Sequence, residues 1–310
     1  MEYNIERISR ERLQDLIPVF KGAFKRNVTI AELKAKYETG FLGLSYLGYI
    51  AYYTPDRQPA AYYGVFPMEA IIEGKHHVIV QSGDTMTHPN HQGKGLFVKL
   101  AKQTYELCVQ LGISGVFGFP SESSYPGFVR KLRWQHHENI ENYTAWVYTL
   151  PLSTFLKVKY LRFLYHGWVR FILSFYPSGK RFESLVLRNS TTGIARSADF
   201  WEYKLRNPDN VCLRVGGTSV ILKTGVSLRI GDIDLSNKNK FDKAFTHLKW
   251  LAFFLGMPRI SFYCSPGTML GKVLRTKLVP KPGLAIGYLN FQKGIDLAPL
   301  KYTYFDFDTF

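Results

Sequence analysis

Met86-Thr87-His88-Pro89-Asn90-His91-Gln92-Gly93-Lys94-Gly95-Leu96-Phe97 is the stretch on which the reading of this chain turns. Apolar residues alternate ahead of it at Val78 and Val80, and a helical run follows it, Leu96, Leu100, Tyr105, Leu107 and Leu111, stopped by Gly112. It therefore reads as a strand passing through a glycine-bearing turn into a helix. Two residues without a Cβ let successive N–H groups converge on an anion at the positive end of the helix dipole. A Gly-x-Gly at a helix start also occurs in ordinary turns, so the flanks carry the decision.

The 310 residues have room for two modest domains, and 46% apolar residues are ample for packed cores. A net charge of +16 gives a surface that attracts polyanions: nucleic acid, an anionic membrane or a phosphate-rich cofactor. Cys108, Cys212 and Cys264 are far apart, which suggests neither a disulfide framework nor a zinc site. A reducing, cytoplasmic setting is the expectation. The start from Met1 to Ile8 alternates like a strand and has no basic head before an apolar run, so no signal peptide is read there.

Outward from the turn, Glu11 to Phe24 and Ile30 to Tyr37 read as helices. Gly43 to Tyr53, Ala60 to Pro67 and Val78 to Thr87 read as strands, the first two joined by the turn Thr54-Pro55-Asp56-Arg57. After the helix come a buried strand, Gly115 to Phe119, a short helix around Tyr125 to Leu132, and two closing strands through Trp134 and Tyr143 to Tyr148. The fold class is α/β, a mixed α+β sheet with helices on it.

Pro151 to Arg181 differs in composition. It carries Lys157, Lys159, Arg162, Arg170, Lys180 and Arg181 with no acidic residue, interleaved with aromatics such as Tyr160, Phe163 and Trp168. The charges come too often for a membrane span, which needs roughly 20 largely uncharged residues. A linker helix with its lysines reaching to solvent is the favoured reading, and weak association with an anionic membrane surface is the other. From Asp199 a second unit repeats the first in element order. Leu255-Gly256 ends a helix as Leu111-Gly112 does, an offset of 255 − 111 = 144 residues. Where the first copy has Gln92-Gly93-Lys94-Gly95, the second has Ser236-Asn237-Lys238-Asn239-Lys240, which hinders close backbone approach to a pyrophosphate. The expected domains are 1–150 (catalytic), 151–183 (linker) and 184–310 (a degenerate copy shaping the acceptor site).

The element order and the turn together resemble the GNAT superfamily of acyl-CoA-dependent N-acyltransferases. Its hallmark, Gln/Arg-x-x-Gly-x-Gly/Ala, is matched by Gln92-Gly93-Lys94-Gly95-Leu96-Phe97, and Thr87-His88-Pro89 matches the family's proline before the turn. Phe97 departs from the pattern, where Gly or Ala is usual, and looser packing of helix on sheet is expected there. The resemblance covers about residues 1–150, with the second half similar to a degenerate copy, as in tandem-GNAT proteins.

The resemblance implies one acetyl-CoA, or another acyl-CoA, per chain and a small-molecule amine acceptor, an amino sugar or other anionic amine being one guess. Met86, Thr87 and His88 would flank the pantetheine arm, and the amides of Gln92, Gly93, Lys94, Gly95 and Leu96 would hold the phosphates. Valine, at Val129, replaces the family's proton-donating tyrosine. Tyr125, one turn earlier, is the candidate acid, and Asp84 the candidate base, with Glu122 behind it. His88, His136 and His137 could relay a proton. Tyrosines from Tyr46 to Tyr63 either line an acceptor cleft or pack a sheet face, and Tyr302 to Phe310 reads as a last strand. The competing reading is a non-catalytic, membrane-surface or nucleic-acid-binding protein that kept a GNAT fold. No specific nucleic-acid recognition motif is present.

Overall fold

The computed structural model describes residues 2–190, 192–236 and 238–310. Met1, at the head of the expected first strand, and Asn237, inside the expected second turn, lie outside the described residues. The chain divides into two units, Met1–Glu138 with Leu284–Leu300, and Asn139–Gly283 with Lys301–Phe310. Both are discontinuous, unlike the contiguous stretches 1–150, 151–183 and 184–310, and the basic aromatic stretch belongs to the second.

The first unit begins with β1 (Tyr3–Arg7), α1 (Leu16–Phe24) and α2 (Ile30–Tyr37). Thr29 and Glu32 cap α2 reciprocally, each side chain accepting from the other's backbone N–H, which sets where that helix starts. There follow β2 (Leu47–Tyr53), β3 (Pro59–Ile72) and β4 (Lys75–Thr87), antiparallel in order. Next, α3 (Leu96–Gln110) crosses over to β5 (Gly115–Gly118), which runs parallel to β4. A helical turn over 125–132, π-wound at Gly127–Lys131, leads into β6 (Gln135–Trp146). The β3 interior is buried on both faces, which accounts for its nearly unbroken apolar run. Tyr63, Val65, Val80 and Leu100 pack on the α3 side, and Leu16, Leu33, Ile50 and Tyr62 on the side of α1 and α2.

The second unit contains α4 (Lys159–Leu173), α5 (Leu185–Asn189), β7 (Gly193–Ile194) and α6 (Ala198–Leu205). Then come β8 (Asn210–Val215), β9 (Thr218–Lys223), β10 (Leu228–Ile233), α7 (Phe241–Phe254), β11 (Arg259–Cys264) and α8 (Met269–Leu274), after which β12 (Lys281–Asn290) returns the chain to the first unit. Strands β8, β9 and β10 form an antiparallel meander, and β11 returns parallel to β10. This is the arrangement of β2 to β5. The helix ends repeat as well: Ile113 N–H bonds to the Cys108 carbonyl and Met257 N–H to the Ala252 carbonyl, around left-handed Gly112 and Gly256. Both pairs keep the 144-residue offset.

Two expectations are corrected. The pair of closing strands through Trp134 and Tyr143 to Tyr148 is one strand, β6, because 135–146 holds neither Gly nor Pro to turn it. The last strand of each unit is instead exchanged. Gly115–Gly118 pairs antiparallel with 287–290 of β12, and Arg259–Cys264 pairs antiparallel with 141–146 of β6. Tyr302 to Phe310 is no strand either. Thr303 makes one bridge to Cys264, and a 3-10 turn follows at Tyr304–Asp306, because Asp306 folds back to cap Thr303 N–H instead of extending the ladder.

Candidate active site

Tyr62 pairs with Met86 and Gly64 with Gly83, so Asp84 and Thr85 together face Tyr63 alone. This is a β-bulge, and Asp84 takes the left-handed backbone (φ 51°) that bulges accommodate. On the other edge of β4, described pairing with β5 covers Val80 and Gln81. β5 ends at Gly118, still beside Ser82, so past Ser82 this edge of β4 has no described strand partner, and the gap it leaves is a wedge bordered by β4 main-chain groups.

The wedge leads to the glycine turn. His88 N–H bonds to the Ala60 carbonyl, Pro89–His91 makes a 3-10 turn, and Gly93 (φ 77°) and Gly95 (φ 72°) are both left-handed. A Cβ built on either glycine would meet nothing within 4 Å, so what demands glycine here is backbone conformation, and the space over the turn is open. Gly95 is also the N-cap of α3 and offers no side-chain cap, which leaves the first-turn amides of a 15-residue helix for an anion. Lys94 adds a cation, shared at 3.4 Å with Glu2, both about half exposed.

The expected arm residues divide by side-chain direction. Met86 is buried among α1 and α2, and the His88 ring lies against Gly22 while its Nδ1 accepts from Asn90 N–H. These two therefore offer the wedge main-chain groups rather than side chains. Asp84 sits at the bulge, where one carboxylate oxygen takes both Tyr37 O–H (2.9 Å) and the Lys36 ammonium (2.7 Å). Burial, and next the Asp84 charge, push the Tyr37 phenol well above its usual value. Tyr125 is half-buried at the start of the 125–132 turn, its ring edge-on to His136 at 5.7 Å. Glu122 is exposed.

Phe97 fills space instead of loosening it. Its ring packs edge-on to Phe128 at 5.0 Å and takes the room left by Gly127, where a Cβ would lie 2.9 Å from it. Most of the tyrosines between 46 and 63 are packing residues or bonded within the core: Tyr52, Tyr62 and Tyr63 are at most 5% exposed. Sequence reasoning missed one network. Trp134 Nε1–H donates to Tyr105 O, Tyr105 and Tyr63 hydroxyls lie 2.8 Å apart, and Tyr63 O lies 2.8 Å from Ser82 Oγ. With Tyr105 donating to Tyr63 and Tyr63 to Ser82, the Ser82 O–H remains for the wedge. No local pattern marks Ser82, because its partners come from a strand, a helix and a loop remote in sequence.

The second unit has a counterpart to the bulge, and it is filled. Between Ile230 and Asp232 the register of β10 shifts by a bulge at Gly231, but a Cβ on Gly231 would lie 2.6 Å from the Phe310 ring. Asp232 is fully buried and bonded at 2.6 Å to Arg196, whose guanidinium also binds Asp306 and Thr303. The C-terminal turn is thereby held against β10 and β11.

Residues 4–136 match the model of the acetyltransferase (GNAT) domain family. Solved structures similar in fold cover nearly the whole chain. A Pyrococcus horikoshii protein provisionally described as an acetyltransferase is 12% identical, with 98% of this chain and 94% of that one covered at a TM-score of 0.59. GCN5-related N-acetyltransferases from Anabaena variabilis (12% identical, 92% and 72% covered, TM-score 0.55) and Kribbella flavida (11%, 92% and 70%, TM-score 0.54) are similar too. No curated protein matches the sequence. The N-terminal part of this chain thus resembles a GNAT acetyltransferase domain, and the fold shared with these structures extends over nearly the whole chain.

Proposed function

We propose that the chain transfers an acetyl or other acyl group from acyl-CoA to a small amine, using the first unit alone. The observation that carries this is the pair of left-handed glycines with open space over them at the start of α3, reached from the β4 edge past its described pairing with β5, set against the bulge of the second unit filled by Phe310. The residues present fit the cofactor. The free edge of 82–87 suits an extended amide-bearing arm, and the amides of Gln92, Gly93, Lys94, Gly95 and Leu96 suit a pyrophosphate. Bound acyl-CoA supplies the activated carbonyl and a thiolate leaving group. Around it, main-chain N–H groups at the Asp84 bulge stabilise developing negative charge. The free oxygen of Asp84 takes a proton from the amine, and Tyr125 or Ser82 returns one to the thiolate. The direct transfer needs no nucleophilic triad, and none is assigned.

Acetyl-CoA should raise the melting temperature of the full chain, and Gly93→Glu should abolish the shift by placing a side chain and a negative charge in the cradle. An unchanged melting curve with the native sequence would overturn the cofactor assignment. Thiol release over a panel of amines then identifies the acceptor, and undiminished turnover of Tyr125→Phe would remove Tyr125 as the acid.

A further inference from the structure

Helix α4 buries a narrow stripe. Tyr165, Val169 and Ile172, spaced to share one face, are each at most 8% exposed and pack into the core of the second unit. The remaining circumference should be polar on a helix of this kind, and it is not. Tyr160 is 84% exposed, Phe163 82% and Leu164 63%, with Phe171 at 55% a further turn along.

The surface continues beyond α4. Trp168 Nε1–H donates to the Phe254 carbonyl at 2.9 Å, and Thr149 O–H to the Phe253 carbonyl at 2.7 Å, which brings the segment around Tyr148 and Leu150 beside the end of α7. Trp250 stacks on Phe254 there, and both are about half exposed. Rings and aliphatic chains thus form one continuous exposed patch within the second unit. A water-soluble protein rarely leaves so much contiguous apolar surface without a use for it.

Charge selects the occupant. Residues 151–181 hold six lysines and arginines and no acid, and 243–259 hold Lys243, Lys249 and Arg259 with no acid. Arg162 and Arg170 are exposed on α4 itself. A second copy of the chain docked face to face would bring these like charges together. Leu150, Val158 and Leu164 offer nothing for a nucleobase to stack on, but they suit an acyl layer. No described helix is long and apolar enough to cross a membrane. A 15-residue helix with aromatics outward and arginines at its sides lies flat in the interfacial zone instead.

We propose that this face, centred on α4 and the end of α7, seats on an anionic lipid bilayer, with aromatic side chains in the headgroup region and basic ones against lipid phosphates. The proposal is independent of the acyl-CoA site.

Flotation of the full chain with vesicles tests it. Vesicles of 3:1 phosphatidylcholine and phosphatidylglycerol should carry the protein, and pure phosphatidylcholine vesicles should not. Phe163→Ser with Phe171→Ser should weaken binding about tenfold or more, because both rings are exposed and bear on the bilayer. Arg162→Gln with Arg170→Gln should weaken it less and reduce its salt sensitivity. Each variant should keep the native melting temperature and the acetyl-CoA shift, so loss of flotation is not loss of fold. The proposal is overturned by absence of flotation with anionic vesicles or by equal flotation of the Phe163→Ser, Phe171→Ser variant. It is equally overturned if that variant instead converts a dimer to a monomer in light scattering, or loses binding to a single-stranded RNA that displaces the vesicles.

Discussion

The two units of this molecule start from the same strand order and end differently. In each unit an antiparallel meander ends in a bulged strand, a helix crosses over, and a parallel strand returns. In the first, two left-handed glycines leave open space over the turn, and the bulge carries Asp84 bonded to Tyr37 and Lys36. In the second, Phe310 stands against Gly231, and Arg196 fastens the C-terminal turn through Asp232 and Asp306. A fold copied within one chain needs only one catalytic copy, and the other is free to close its groove with its own residues and gain stability from doing so.

The largest test of this contrast is Arg196→Leu. It leaves Asp232 and Asp306 uncompensated in a dry interior, so the unfolding free energy at neutral pH should fall by about 3–5 kcal/mol in urea denaturation. Burial already holds the Asp232 carboxyl above its usual range, and loss of the guanidinium raises it further. The native state then binds a proton that the unfolded state lacks, so stability is lost as pH rises through the folded value and regained as pH falls toward the ordinary carboxyl value. A loss that does not shrink in acid would show that the carboxylates are not its source.

A smaller effect is expected from Phe310→Ala, about 2–4 kcal/mol for a buried ring at a chain end that can partly relax. Titration calorimetry should still find one acetyl-CoA per chain, because the second turn lacks glycines. A second equivalent would mean that the ring alone had kept the groove closed.

Thiol labelling gives the smallest and most local signal. Burial pushes Cys108 in the first unit and Cys264 in the second each up to about 12. Both should resist alkylation at pH 8 and react only on unfolding, with Cys212 reacting first. Faster labelling of Cys264 than of Cys108 would show the C-terminal turn opening by itself. Because the folded values lie above that of a free thiol, the two groups favour folding up to about pH 8.5 and lose that contribution as pH climbs through about 12.

Much of the first unit was legible because its signals are local. The glycine turn, the helix from Leu96 and its stop at Gly112 each act within a few residues of themselves. The 144-residue offset likewise survived because a helix cap fixes hydrogen bonds over a span of six residues. What was hidden depends on partners far along the chain. The wedge is a statement about where β4 stops pairing with β5, and a single sequence does not state register. The Ser82, Tyr63, Tyr105 and Trp134 network and the Arg196 clamp join residues up to 110 positions apart. The C-terminal aspartates were misread for the same reason: strand-like alternation from Tyr302 onward is overridden by a buried arginine that no local pattern announces.

The exchanged strands bear on the order of events during synthesis. Gly118 meets its antiparallel partner only at Gly287, and Gly115 only at Asn290. Although the first unit is encoded first, the edge of β5 stays bare until almost the entire chain has been made, while the second unit takes its exchanged strand from residues already present. During that interval an exposed edge strand is a site for mispairing with other nascent chains. The half that emerges first thus waits, unfinished, through most of the synthesis of the other.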